Sequence, residues 1–378
     1  MRAWDGGWLF AAGSGLLGLS FALSVVFCGL ARRWAPRFGL VDRPGGHKEH
    51  AIPTPLGGGV AIWLTLILVL ALGAVGLGLG DPSLPPALAR HAGGLWTKAG
   101  PLALLLAMAT VVMLIGLIDD RAPLPWPFRL GAQGGLAVVL AAAGIRVTLF
   151  WPFNHPWLGG AVSVVWIVGL TNAFNMLDNM DGLAAGVGLI AALLFAGAQL
   201  AVGSLFVPAC LFVLAGALAG FLVHNRPPAR LFMGDAGSNF LGFTLGGLTV
   251  AGTYFRYGPS ASPYSVLAPL LVMAVPLYDA TSVILIRVRE GRSPFRADRR
   301  HFSHRLVERG LTRPQAVRTI DLVTLASGLG ALLLHRLDAA GACVVVAQTL
   351  CLLGVVAALE VSAPVPDSND PEHETDRT

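Results

Sequence analysis

AVSVVWIVGLTNAFNMLDNMDGLAAG, Ala161 to Gly186, decides the fold. A run of ten residues, apolar but for Ser163, leads into a stretch that carries Asn172, Asn175, Asp178, Asn179 and Asp181, and Gly182 ends it. The first half reads as the last turns of a membrane helix, and the second as a polar edge where that helix leaves the bilayer. The surrounding composition supports lipid as the solvent. Of 378 residues, 55% are hydrophobic and 12% charged, against about 25% charged in globular proteins. Mean hydropathy is +0.69.

Apolar stretches long enough to span a core of roughly 30 Å as helices recur along the chain. Eleven are legible: Gly7 to Leu30, Leu56 to Leu79, Gly100 to Ile118, Phe128 to Gly144, Gly159 to Ala173, Leu183 to Gly203, Leu205 to Val223, Ser238 to Tyr254, Ser265 to Ile286, Ala316 to Leu334 and Ala339 to Leu359. The fifth is the shortest, and the sixth and seventh nearly touch. The first, followed by Arg32 and Arg33, reads as a retained span rather than a cleaved signal peptide. With the amino terminus outside, 20 of the 26 Lys and Arg residues fall on the cytoplasmic side and 6 outside, a positive-inside bias. The expected fold is therefore an all-α polytopic membrane protein of about eleven transmembrane helices with a cytoplasmic carboxyl terminus. Residues 1–362 form one membrane domain, and the polar tail 363–378 is expected to be disordered. Cys28, Cys210, Cys343 and Cys351 lie in apolar runs without metal-ligand spacing and read as small buried hydrophobes.

On this topology four polar clusters share the cytoplasmic side: IDDR (118–121), the opening stretch, HNRPPARLFMGDAGSNF (224–240) and RADRRHFSHRLVERG (296–310). A lone carboxylate at a helix end is ordinarily just solvated, Asp235 before a helix is equally a cap, and a basic run can serve only to attract anionic headgroups. The combination says more. Adjacent Asp119 and Asp120 repel and need a cation. Oxygen ligands holding a small Mg²⁺ against substrate phosphates, faced by Arg and His, are the parts of a phosphoryl-transfer site. A secondary transporter, the rival from another class, places its polar residues near the bilayer midplane rather than at one edge. Asp279, about 10 Å inside the ninth run at 1.5 Å per residue, reads as a structural acid.

IDDR, NAFNMLDNMDGLAAG, RLFMGDAGS and HFSHRL, in this order among the spans, closely resemble the polyprenyl-phosphate N-acetylhexosamine-1-phosphate transferases. The likeness covers nearly the whole chain from LVDRPGGHKEH (40–50) onward, and its GlcNAc-transferring branch fits better than the lipid I-forming phospho-MurNAc-pentapeptide branch, which carries three consecutive histidines. The resemblance implies attack of polyprenyl phosphate on a UDP-HexNAc, release of UMP and an active site facing the cytoplasm at the bacterial inner membrane. It implies Mg²⁺, with Mn²⁺ as a substitute, held by Asn175 and Asp235. Asp119, Asp120, Asp178, His301 and His304 match catalytic positions, and Lys48, Arg129, Asp181, Arg299, Arg300 and Arg305 match substrate-binding ones, Asp181 toward uracil. The implied partners are the UDP-HexNAc donor, the polyprenyl phosphate acceptor and membrane lipids, with no nucleic acid and with room for a homodimer. Two positions depart from the family pattern: Ser303 stands where relatives have a middle histidine, and Asn179 where many have glycine. An acceptor phosphate monoester loses its second proton near pH 6, so Asp119 and Asp120 are expected to position acceptor or metal rather than act as a general base.

Overall fold

The computed structural model describes residues 6–43, 53–78, 92–148, 155–255, 262–293 and 301–361. The long helices are α1 Gly6–Trp34, α2 Gly58–Gly78, α3 Ala92–Asp119, α4 Trp126–Ala142, α5 Pro156–Leu177, α6 Leu183–Ala201, α7 Phe206–Asn225 and α8 Gly234–Ala251. After a 3₁₀ turn come α9 Ala268–Val272, α10 Ala274–Arg289, α11 Phe302–Glu308, α12 Arg313–Leu329 and α13 Ala339–Val361. Each of the eleven apolar runs falls on helix. Among the described residues, eight helices are long and apolar enough to cross a membrane, or nine if the bent pair Pro263–Val272 and Ala274–Arg289 is one span. The chain is a multi-pass, all-α membrane protein.

The outer helices turn large apolar side chains outward, with Val165, Val344 and Leu322 each about two-thirds or more exposed. In water such a surface would aggregate; in lipid it is solvated. This is also why Cys343 and Cys351 are exposed on α13, against the expectation of four buried thiols, whereas Cys28 and Cys210 are buried. A membrane helix is as apolar outside as inside, so hydropathy alone does not tell the faces apart.

At the centre stands α8, buried at every residue from Ala236 to Val250. Its neighbours α2 and α3 approach at glycines. A Cβ on Gly116 of α3 would lie 2.5 Å from the Asp235 carbonyl oxygen, and one on Gly59 would lie 2.3 Å from Gly237. Small residues permit this close approach, which brings the end of α3 against the start of α8. Two further devices tie loops to the same end. Val41–Asp42 pairs antiparallel with Thr54–Pro55, and that strand continues into the α7–α8 connection through Phe232 N–H to Pro55 O (2.9 Å).

Two span boundaries differ from the sequence expectation. The fifth helix is not the shortest: it runs 22 residues to Leu177, because the backbone stays helical through the polar residues after Leu170. The sixth and seventh are separated by a turn in which Gly203 adopts φ 75°.

Candidate active site

The two adjacent aspartates at the end of α3 do different things. Asp120 accepts the backbone N–H of Asp235 on Oδ1 (2.7 Å) and of Ala236 on Oδ2 (3.1 Å). The first N–H groups of a helix have no partner within it, so a carboxylate from another helix both satisfies them and meets the positive end of the dipole. Gly234, at φ 70°, makes room: a Cβ there would lie 2.6 Å from Asp120 Oδ2. Burial, opposed by those two N–H donors, pushes the Asp120 carboxyl up to about 6. Asp119 instead accepts the backbone N–H of Leu124 (2.6 Å) and pairs with Arg129. Arg129 Nη1 also reaches Asp235 Oδ2 at 3.2 Å, so one guanidinium lies between two carboxylates.

The end of α5 completes this group. Asn175 Nδ2 donates to Asp235 Oδ1 (2.8 Å) and to Ser238 Oγ (3.1 Å). Asn172 donates to Gln133 (2.7 Å), which donates in turn to Asn239 (3.2 Å), and Asn239 donates to the Asp235 carbonyl (2.8 Å). The helix stops at Leu177, Asp178 follows as its C-cap, and Gly182 at φ 81° turns the chain into α6. That backbone conformation suits only glycine readily. The turn splits the polar cluster: Asn175 faces Asp235, while Asp181 Oδ2 accepts the backbone N–H of Ala229 (2.9 Å) in the α7–α8 connection. Asn225 secures the same connection, accepting from Gly182 N–H (2.8 Å) and donating to Leu231 O (2.9 Å). The Asp178 backbone N–H donates to Phe174 O (3.1 Å), while its carboxylate makes no hydrogen bond or ion pair among the described residues. Burial, with repulsion from Asp120 and Asp181, pushes its carboxyl up to about 7.

The histidines stand on α11 and at its start. His301 Nδ1 lies 3.0 Å from Asp279 Oδ2, and the Phe302 N–H donates to Asp279 Oδ1 (2.7 Å). Asp279 is 1% exposed and therefore spends both oxygens on the histidine segment. Sequence reasoning gave it only a structural part, yet its position inside an apolar run was the available signal. The His304 ring lies 6.4 Å from that of His301, centroid to centroid. Ser303 Oγ donates to Asn179 Oδ1 at 2.6 Å. Arg305 has different partners from the phosphate expected for it: its guanidinium donates to Ser282 Oγ (2.8 Å) and pairs with Glu360 (3.0 Å), which also accepts from Tyr278 (2.9 Å). The structure thus joins Asp119, Asp120, Arg129, Asn175 and Asp235 directly and links the Asp178–Asp181 turn to His301 and His304 through Ser303. Arg305 is turned toward α13. Lys48, Arg299 and Arg300 lie outside the described residues.

Among the described residues no three His, Cys, Asp or Glu side chains come together as a metal cage. The donors fit Mg²⁺ in another way. Mg²⁺ at phosphoryl-transfer sites keeps waters and substrate oxygens and takes only one or two protein ligands. Asp235 and Asn175, side by side, supply that number of oxygens, and the second carboxylate, Asp119, is bridged to Asp235 by Arg129.

Comparison with known proteins gives the family. The family model described as glycosyl transferase family 4 matches residues 102–253, which hold Asp119 through Asp235. A decaprenyl-phosphate N-acetylglucosaminephosphotransferase of Mycobacterium tuberculosis is 37% identical, covering 81% of this chain and 79% of the relative. The Mycolicibacterium smegmatis protein of that name is 36% identical over 81% and 78%. The undecaprenyl-phosphate alpha-N-acetylglucosaminyl 1-phosphate transferase of Escherichia coli is 28% identical over 82% and 79%. The polar residues that meet at one end of the bundle and the shared sequence along most of its length place the chain in glycosyl transferase family 4, among the polyprenyl-phosphate N-acetylhexosamine-1-phosphate transferases.

Proposed function

We propose that the protein transfers GlcNAc-1-phosphate from UDP-GlcNAc to a polyprenyl phosphate, making the first lipid-linked intermediate of a cell-surface polysaccharide. The observation that carries this reading is Arg129 held between Asp119 and Asp235, with Asn175 against Asp235. Two polyanions must meet here, so cationic charge on a fixed frame is the first requirement.

An acceptor phosphate oxygen forms a bond to the β-phosphorus, the bond from that phosphorus to the oxygen bridging it to the α-phosphorus breaks, and UMP leaves with the electron pair. Mg²⁺, bound by Asp235 and Asn175, would draw charge off the diphosphate oxygens. Arg129 neutralises the two carboxylates and keeps a guanidinium beside the residues that would hold the metal and the phosphates. Asp120 acts through α8, aiming Asp235. Asp181 keeps one oxygen free of the Ala229 bond, available to the uracil N–H. His301, oriented by Asp279, and His304 face the diphosphate. The acceptor arrives mostly dianionic at neutral pH, so no residue has to remove its proton.

The proposal includes eleven spans, with the amino terminus outside and this end of the bundle in the cytoplasm at the bacterial inner membrane. The positive-inside bias supports that orientation, as does the cytosolic origin of UDP-sugars. Purified protein with undecaprenyl phosphate, Mg²⁺ and a panel of UDP-sugars, read for UMP and lipid product, tests it. UMP from UDP-GlcNAc is expected. Turnover only with UDP-MurNAc-pentapeptide would replace the donor, and solute counterflow without UMP would replace the enzyme by a transporter.

A further inference from the structure

Ser303 and Asn179 are 124 positions apart, yet the Ser303 hydroxyl donates to Asn179 Oδ1 at 2.6 Å, and Ser303 is 1% exposed. The Asn179 amide is itself fixed: its Nδ2 donates at 2.8 Å to the carbonyl of Met176, in the last turn of α5. Carbonyls there lack helical partners, so the backbone holds the amide in the orientation that offers Oδ1 to Ser303. Asn179 follows Asp178 directly and precedes Asp181 by two residues. On the other side, α11 is a single short helix, Phe302–Glu308. Asp279 pins only its start, through His301 and the Phe302 N–H. Arg305 ties its far side to Glu360, away from the acidic turn. Phe302 and Leu306 seat the helix in the core, and none of these hydrogen bonds and ion pairs reaches that turn. Ser303 supplies the inward contact.

We propose that Asn179 and Ser303 are positioning residues: their bond sets the spacing between the histidines of α11 and the Asp178–Asp181 turn, so that the two walls of the site hold the diphosphate in one geometry. The inference rests on the transferase reading. Neither side chain touches a reacting atom; each acts through its neighbours. A displacement on the order of 1 Å of a catalytic group costs on the order of 100-fold in rate, so a lost tether reads out in turnover.

The test uses the full chain in detergent, with Asn179→Ala, Ser303→Ala and the double variant. In UMP release from UDP-GlcNAc, each single variant is expected to lower kcat about tenfold and leave KM within about twofold, and the double variant to fall no more than about twofold below the weaker single, because the bond can be lost only once. In parallel, hydrogen–deuterium exchange is followed by mass spectrometry without substrate. Asn179→Ala is expected to speed amide exchange in residues 301–309, and Ser303→Ala in residues 176–182, with the remaining peptides as in wild type. Single effects that multiply, a change in KM alone, or remote segments that exchange at the wild-type rate overturn the proposal. A wild-type protein that releases no UMP from any UDP-HexNAc overturns the transferase reading instead, while the exchange measurement still decides the tether.

Discussion

The Asp120 carboxylate accepts the backbone N–H of Asp235 at 2.7 Å, so an acid at the end of α3 starts the helix that carries the principal metal-ligand candidate. Asp120→Asn keeps one acceptor oxygen and turns an amide group toward a backbone N–H. Loss of a helix cap costs about 1 kcal/mol, visible as a lower melting temperature in detergent. Activity is expected to fall at pH 8.5 at least as much as at pH 6, where the wild-type carboxyl is itself partly neutral, because the residue aims Asp235 and does not remove a proton. Normal rates at pH 8.5 with a loss confined to pH 6 would restore a general base to the mechanism.

Asp279 gives a second prediction. With both oxygens engaged by His301 and Phe302, Asp279→Asn keeps the shape but weakens the orientation of the ring. Turnover should drop on the order of 10- to 100-fold, with KM for the UDP-sugar within about threefold. Equal losses in kcat and binding would indicate that the segment had unfolded rather than tilted.

Arg129→Ala leaves Asp119 and Asp235 facing each other without a cation. Breaking a fully buried pair costs about 3–5 kcal/mol, and about 2 kcal/mol is expected here because the guanidinium side chain is 29% exposed. Added Mg²⁺ should raise the melting temperature of the variant more than that of wild type. Chelation with EDTA should abolish UMP release by the wild type, and a chelator-resistant rate would remove the metal from the proposal.

For Asp178 the prediction concerns pH. The folded carboxyl is pushed up to about 7 from its usual value near 4. Below about pH 4 both folded and unfolded chains hold the proton; between about 4 and 7 only the folded chain does, and stability from this group falls as pH rises through that window. Asp178→Asn removes the slope. Its melting temperature relative to wild type is therefore expected to rise from pH 5 to pH 8, even as activity is lost. A difference that stays flat with pH would show that the group ionises freely in the fold.

Much of this was legible from residue types and order. Hydropathy placed every long helix, because lipid-facing and core-facing positions are both apolar and neither interrupts the pattern. The family resemblance already gave Asn175 and Asp181 separate parts, one toward the metal and one toward uracil. What hydropathy could not give was which helix lies at the centre: α8 is the most buried and one of the least apolar, since its first turns carry Asp235, Ser238 and Asn239. The pairings of Asp120 with the start of α8, Arg305 with Glu360 and Ser303 with Asn179 join positions 55 to 124 residues apart, and no local pattern encodes such distances. The two departures from the family pattern, noted singly in the sequence, turn out to touch each other.

From Ala236 to Val250, α8 meets protein on all sides. Bilayer thickness, lipid charge and acyl packing act first on the surrounding helices, which can tilt or slide to match them. The end of the molecule that carries the candidate site is thus mounted on a shaft inside a bearing: the sleeve answers to the membrane, and the shaft that begins at Asp235 is shielded from it.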